Sequence, residues 1–66
     1  MKALITIQMD NAAFFDADGV ENHGHELARI LRQLAARAAS ETDCSDFECI
    51  AVDINGNRVG KLEVRP

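Results

Sequence analysis

Residues 47–64, FECIAVDINGNRVGKLEV, decide the fold. The segments 47–54 and 58–64 are rich in β-branched and other apolar residues, which are typical of β-strands. The polar residues between them supply the positive-φ backbone conformations that hairpin tips need. The stretch therefore predicts a β-hairpin with these turn residues: Asp53, Asn55, Gly56 and Asn57.

The same turn also contains part of a calcium-loop pattern. Asp53, Asn55 and Asn57 match its positions 1, 3 and 5. Position 6 requires glycine and position 12 a bidentate glutamate, but Arg58 and Val64 stand there. We therefore expect a turn in which Asp53 accepts hydrogen bonds from backbone amides two or three residues further on.

The sequence leaves the register of the hairpin open. A three-residue loop over residues 54–56 and a loop shifted by one residue place different side chains on the same face of the sheet. Gly60, inside the second strand, predicts either a β-bulge or the close approach of another backbone.

Residues 25–39, HELARILRQLAARAA, predict an amphipathic helix. Asn22 or Gly24 can cap its start. At 100° per residue one face is apolar, with Leu27, Ile30, Leu31, Leu34, Ala35 and Ala38. The opposite face carries Glu26, Arg29, Arg32, Gln33, Ala36 and Arg37.

Residues 2–9, KALITIQM, alternate as a half-buried strand does, with Ala3, Ile5, Ile7 and Met9 on the inner face. Leu4 falls on the outer face, as harmless exposure or as a small contact patch. The loop 10–24 carries three residues that we expect to seal the core: Phe14, Phe15 and Val20. The predicted fold is α+β: a single β-α-β-β two-layer domain over residues 1–66, with one amphipathic helix packed on a three-stranded sheet.

The formal net charge of −4 argues against a general nucleic-acid binder, which needs a basic surface. The charge is uneven, however. Arg29, Arg32 and Arg37 form a basic helix face, whereas residues 41–53 hold five acids and no base. A face of this kind is most often simply solvated; the second interpretation is that it meets an acidic protein surface, such as the acidic segment of a second copy. The alternative is an accessory nucleic-acid-binding protein that uses these three arginines.

The histidine and cysteine residues are poor candidates for a metal site or a catalytic pair. His23 and His25 flank a glycine at the junction of loop and helix, where their side chains would share a face on a strand but diverge by about 200° on a helix. Cys44 and Cys49 are spaced unlike the cysteines of compact zinc sites. A Cys–His nucleophile pair also needs an oxyanion hole and a cleft. We therefore expect no metal, no cofactor, no small-molecule substrate and no enzymatic activity.

Three segments together resemble a set of small uncharacterised proteins of bacteriophages and prophages. These are the strand leading into Met9–Phe14 (MDNAAF), residues 26–32 (ELARILR), and residues 53–60 (DINGNRVG). The resemblance covers about two thirds of the chain. The chain departs from the pattern of these proteins at its His-Gly-His junction and in its acidic, cysteine-bearing loop. The resemblance implies a prophage-related origin and carries over no activity.

These observations predict a non-catalytic protein-binding module. A 66-residue domain without disulfides or a structural metal gains stability by association. Three short strands also leave two sheet edges to be paired or covered. We expect a protein partner or a homodimer. Two cysteines are too few for a disulfide framework, and nothing suggests a membrane span, so we expect a cytoplasmic protein.

Overall fold

The structure, a computed structural model, describes residues 1–15, 23–41 and 45–66. Its elements in chain order are β1 (Lys2–Ile7), a 3₁₀ helix η1 (Ala12–Phe14), α1 (His23–Ala39), β2 (Glu48–Val52) and β3 (Arg58–Arg65). The predicted α+β architecture is confirmed: one helix packs on a three-stranded antiparallel sheet. No helix in the described ranges is long and apolar enough to cross a membrane.

The sheet has the order β1-β3-β2, so the last strand of the chain lies in the middle. Both pairings are antiparallel, with Ile5 and Cys49 each opposite Leu62. Because directly opposed residues share a face, these three side chains define the face that turns toward the helix. The other face carries Lys61, Glu63, Arg65 and Glu48, which form a ladder of exposed ion pairs.

Gly60 shows both of the features that its position predicts. The pairing of β2 with β3 shifts between Ala51 and Val52, so β3 contains one extra residue at this bulge. On its other side Gly60 lies against β1. A Cβ atom there would lie far inside contact distance of the Thr6 carbonyl oxygen and 2.9 Å from the Cα of Ile7. Glycine therefore allows β1 and β3 to approach at this point.

The core lies between α1, η1 and the β2–β3 half of the sheet. Its buried side chains are Phe14, Ile30, Leu34, Cys49, Ala51, Val59 and Leu62, with Phe15 half-buried beside them. Phe14 and Phe15 thus seal the core as predicted, whereas Val20 lies outside the described residues. Helix α1 packs mainly against β2 and η1, which places it toward one edge of the sheet.

Two predictions that place apolar side chains in the core are wrong. Leu31 is 39% exposed, because the helix faces the sheet through Ile30 and Leu34 and turns Leu31 about 100° away from Ile30. Strand β1 is not half-buried along its length: Ile5 is 51% exposed although it stands opposite the buried Leu62. Only the end of β1, at Ile7, is partly covered.

Candidate functional site

The hairpin turn is held by the carboxylate of Asp53. The backbone amide of Gly56 donates to the Asp53 carbonyl, and the Asp53 amide donates to the carbonyl of Asn57, which fixes the three-residue loop 54–56. The Asp53 Oδ1 accepts from the amides of Asn55 (2.9 Å) and Asn57 (2.8 Å). Gly56 takes the left-handed conformation with φ of 86°. These are the contacts of a turn, as the departures from the calcium pattern predict.

A second side chain reaches this carboxylate from the other end of the chain. The Asn11 Nδ2 donates to Asp53 Oδ2 at 2.6 Å, and the Asn57 Nδ2 donates to the same oxygen at 3.3 Å. Burial opposes the ionisation of Asp53, but the hydrogen bonds from Asn57, Asn11 and Asn55 outweigh it and lower the pKa of Asp53. Both oxygens of Asp53 are thus occupied by donors of the chain itself.

Beside the turn, Glu26 and Arg29 connect the helix to the hairpin. The Arg29 Nε donates to Glu26 Oε1 at 2.7 Å, and the Arg29 Nη2 donates to the Val52 carbonyl at 2.9 Å. The Ile54 amide donates to Glu26 Oε2 at 2.8 Å. We call the five residues Asn11, Glu26, Arg29, Asp53 and Asn57 the polar cluster.

Glu26 corrects the sequence-based assignment of the helix faces. The helical pattern predicts it on the exposed face, yet its side chain is only 3% exposed. The spacing of Glu26 and Arg29, three residues apart on a helix, is a visible signal for an ion pair. The partner groups at Ile54 and Val52 are backbone atoms of a distant segment, so no local pattern reveals them.

The charged groups of the polar cluster are paired with partners inside the chain. The hydrogen bond from Arg29 lowers the pKa of Glu26, and it outweighs the opposing effect of burial. The same pairing raises the pKa of Arg29. Because each carboxylate oxygen of Glu26 and Asp53 accepts at least one hydrogen bond within the chain, the cluster holds three segments together.

The lowered pKa of Glu26 predicts an acid-sensitive fold. In the unfolded chain this group titrates near 4.5, so the folded state binds fewer protons around that pH. Stability from Glu26 is therefore complete above about pH 5 and declines as the pH falls through the lower folded pKa. We expect Glu26→Gln to lose about 2–3 kcal/mol at pH 7, because an amide NH₂ would face the donors of Arg29 or Ile54.

Urea denaturation between pH 7 and pH 3 measures this effect. The free energy of unfolding of Glu26→Gln should depend less on pH than that of the natural chain. The matched control is Glu41→Gln, since Glu41 is exposed at the end of the helix. Equal pH profiles for Glu26→Gln and the natural chain would contradict the role of this carboxylate.

The arginines of the predicted basic face have different environments. Arg32 and Arg37 are exposed, whereas Arg29 is partly buried and bonded to Glu26 and Val52. Of the acidic segment, Asp46 and Glu48 lie near Arg65 of β3, at 3.9 and 3.5 Å. Within one chain, a strand arginine rather than the helix face therefore neutralises these acids.

The histidine and cysteine candidates are not brought together among the described residues. His23 and His25 both lie in the first turns of α1, where their side chains diverge, and Gly24 between them is inside the helix and cannot be its cap. Cys49 is buried in the core. Cys44 and the other proposed cap, Asn22, fall outside the described ranges. In those ranges no group of metal-ligating side chains occurs and no pocket forms.

Strand β1 exposes large apolar side chains beside the core. Leu4 and Ile5 are both about half exposed and lie on opposite faces of the strand. Ile5 continues the row of Cys49 and Leu62 across the helix-facing side of the sheet. Leu31 lies on the flank of the helix opposite Arg29, and Arg29 contacts the β2 edge, so we expect the Leu31 flank to face the β1 side of the sheet. We call Ala3, Leu4, Ile5 and Leu31 the β1 surface.

Comparisons with known proteins give no relative. A scan of protein-family models, a search of curated proteins and a search of solved structures each returned no match.

Proposed function

We propose that this chain is a small phage- or prophage-type protein that works in the cytoplasm as a non-catalytic protein-binding module. The β1 surface supports this proposal most directly. Ile5 is 51% exposed, although it is paired with the core residue Leu62, so the helix-facing side of the sheet continues beyond the helix. An apolar strand at an open sheet edge is a binding site for another polypeptide.

The polar groups of the chain favour binding over catalysis. Among the described residues the buried carboxylates are Glu26 and Asp53, and both accept hydrogen bonds from donors of the chain itself, which makes them poor candidates for a general base. The thiol of Cys49 is enclosed in the core. Strand β1 also exposes the large apolar side chains of Leu4 and Ile5, which suit contacts with a protein surface.

The nucleic-acid alternative has weaker support. Because Arg29 is bonded to Glu26 and to the Val52 carbonyl, the predicted three-arginine face offers two unengaged arginines, Arg32 and Arg37. A salt titration with DNA and RNA tests this alternative. Tight binding that weakens steeply with salt and fails in Arg32→Ala/Arg37→Ala would favour it over a protein-binding module.

Site-specific photo-crosslinking in living bacteria tests the proposed function. A photoreactive phenylalanine derivative replaces Ile5, and in a matched control it replaces Ile54, which is exposed at the hairpin tip. We expect a discrete crosslinked protein product from position 5 and much less from position 54. A product of twice the chain mass identifies a second copy, and another mass identifies a different protein. Position 5 giving no more product than position 54 would overturn the proposal.

The prophage origin has its own test. Integrase or virion genes beside the gene of this chain would support the origin that the sequence resemblance implies. A setting within an operon of primary metabolism would contradict it.

A further inference from the structure

The two edges of the sheet differ in how they are protected. Hydrogen-bonding groups of successive residues in a strand point alternately to its two sides. On β2, the Phe47 carbonyl accepts from the amide of Val64, so alternation turns Glu48, Ile50 and Val52 toward the open side. Arg29 already occupies the Val52 carbonyl there, and Glu48 adds a charge. Both are devices that keep an edge strand from pairing with another chain.

Strand β1 is less protected, because among the residues that the structure describes no side chain bonds to its outward-facing backbone groups. The Gln8 amide donates to the Val59 carbonyl, and the Thr6 carbonyl lies against Gly60, so the even-numbered residues face β3. By alternation, the N–H and C=O groups of Ala3, Ile5 and Ile7 point to the open edge. The strand KALITI has a single charge, and that charge is at its first residue.

From these observations, and resting on the proposed binding function, we infer that the partner of β1 is the β1 of a second copy, paired antiparallel about a two-fold axis. When two copies of a strand pair antiparallel about a two-fold axis, the numbers of the two residues that face each other add up to the same value along the whole strand. In the register where this value is 10, all three residues whose backbone groups point to the open edge are paired. Ala3 then faces Ile7 of the second copy, Ile5 faces Ile5, and Ile7 faces Ala3. The product is one six-stranded sheet.

Charge and side-chain chemistry favour this arrangement. Antiparallel pairing in this register places Lys2 opposite Gln8 of the second copy, whereas parallel pairing in register would place the two Lys2 side chains together. On the helix-facing side, Ala3, Ile5 and Ile7 of both copies form one apolar strip that joins the two cores. On the outer side Leu4 lies opposite Thr6, which covers part of its exposed surface.

Light scattering and sedimentation of the whole chain test the inference. At high micromolar concentration we expect a mass of twice 7.2 kDa. Ile5→Lys should raise the dissociation constant of the dimer by at least about tenfold, because two charges would meet at the two-fold axis. The matched control is Ile50→Lys, since Ile50 is 47% exposed and belongs to β2, and its dissociation constant should stay near that of the natural chain.

A disulfide experiment tests the register independently of stability. In the proposed pairing the two residues at position 5 have Cα atoms about 5.5 Å apart, which is within disulfide range. In a Cys44→Ser background, Ile5→Cys should therefore oxidise to a covalent dimer linked through position 5, and Ile50→Cys should form much less.

The outcomes separate the inference from the proposed function. A strictly monomeric natural chain, or a dimer that is weakened by Ile50→Lys and not by Ile5→Lys, overturns β1 pairing. In either case the in-cell crosslink from position 5 to another protein would leave the proposed function standing. The absence of any such crosslink would remove the proposed function itself.

Discussion

Gly60→Ala should strongly destabilise the fold. The added methyl group would meet backbone rather than a movable side chain: it would overlap the Thr6 carbonyl oxygen and lie 2.8 Å from the Thr6 carbonyl carbon. Relief requires β1 to move away from β3, which breaks the pairing of Ile7 with Gly60. We expect a loss of more than about 3 kcal/mol, against a total stability of about 3–10 kcal/mol for 66 residues. Circular dichroism and thermal melting measure the loss.

Gly24→Ala is the matched control for this substitution. A Cβ atom at Gly24 would have no neighbour within 4 Å, and the residue lies in the first turn of α1. Alanine is a better helix former than glycine, so this variant should melt at the same temperature as the natural chain or higher. A Gly60→Ala variant that melts with Gly24→Ala would show that β1 and β3 leave room for a side chain at position 60.

The elements of this fold are predictable because each has a strong local signal. The apolar period of residues 25–39 indicates a helix, and the alternation in residues 2–9 indicates a strand. The turn at Asp53 to Asn57 follows from residue types that favour positive φ and short side-chain hydrogen bonds. The position of Gly60 also predicts its role, since a glycine inside a strand often marks a bulge or a close backbone approach.

The packing between elements is less predictable because it depends on contacts between distant segments. The order β1-β3-β2 follows from pairings that no single segment encodes. The apolar stripe of α1 is wide, and its rotation over the sheet is fixed by Glu26 and Arg29, which bond to the backbone at Ile54 and Val52. This contact draws the helix toward β2. The sequence pattern alone therefore places Glu26 outside and Leu31 inside, and both assignments are reversed.

This rotation also explains why the β1 surface is exposed. A helix centred on the sheet would cover Ile5, as the alternation of β1 predicts. With the helix held at the β2 side by Arg29, Ile5 and Leu31 remain on the uncovered side. The polar cluster thus determines which part of the sheet the helix leaves uncovered.

The rotation of the helix makes a contrasting pair of leucine substitutions the sharpest test of the packing. Leu34 is 4% exposed and lies in the core, so Leu34→Ala should cost about 2–5 kcal/mol through lost burial and a residual cavity. Leu31 is 39% exposed, so the same change there should cost about 1 kcal/mol or less. The two variants delete the same atoms from the same helix, and alanine raises helix propensity slightly in both.

Thermal and urea melts at low micromolar concentration compare the two variants under conditions in which contacts with a second copy contribute little. Leu34→Ala should melt far below the natural chain, and Leu31→Ala should melt close to it. Equal losses in the two variants would mean that the helix faces the sheet as the wide apolar stripe alone suggests. The same melts at high concentration test the β1 surface. We expect Leu31 to face the β1 side of the sheet, so Leu31→Ala should then weaken the contact between copies. A loss of stability in Leu31→Ala that grows with protein concentration would place this side chain at that contact.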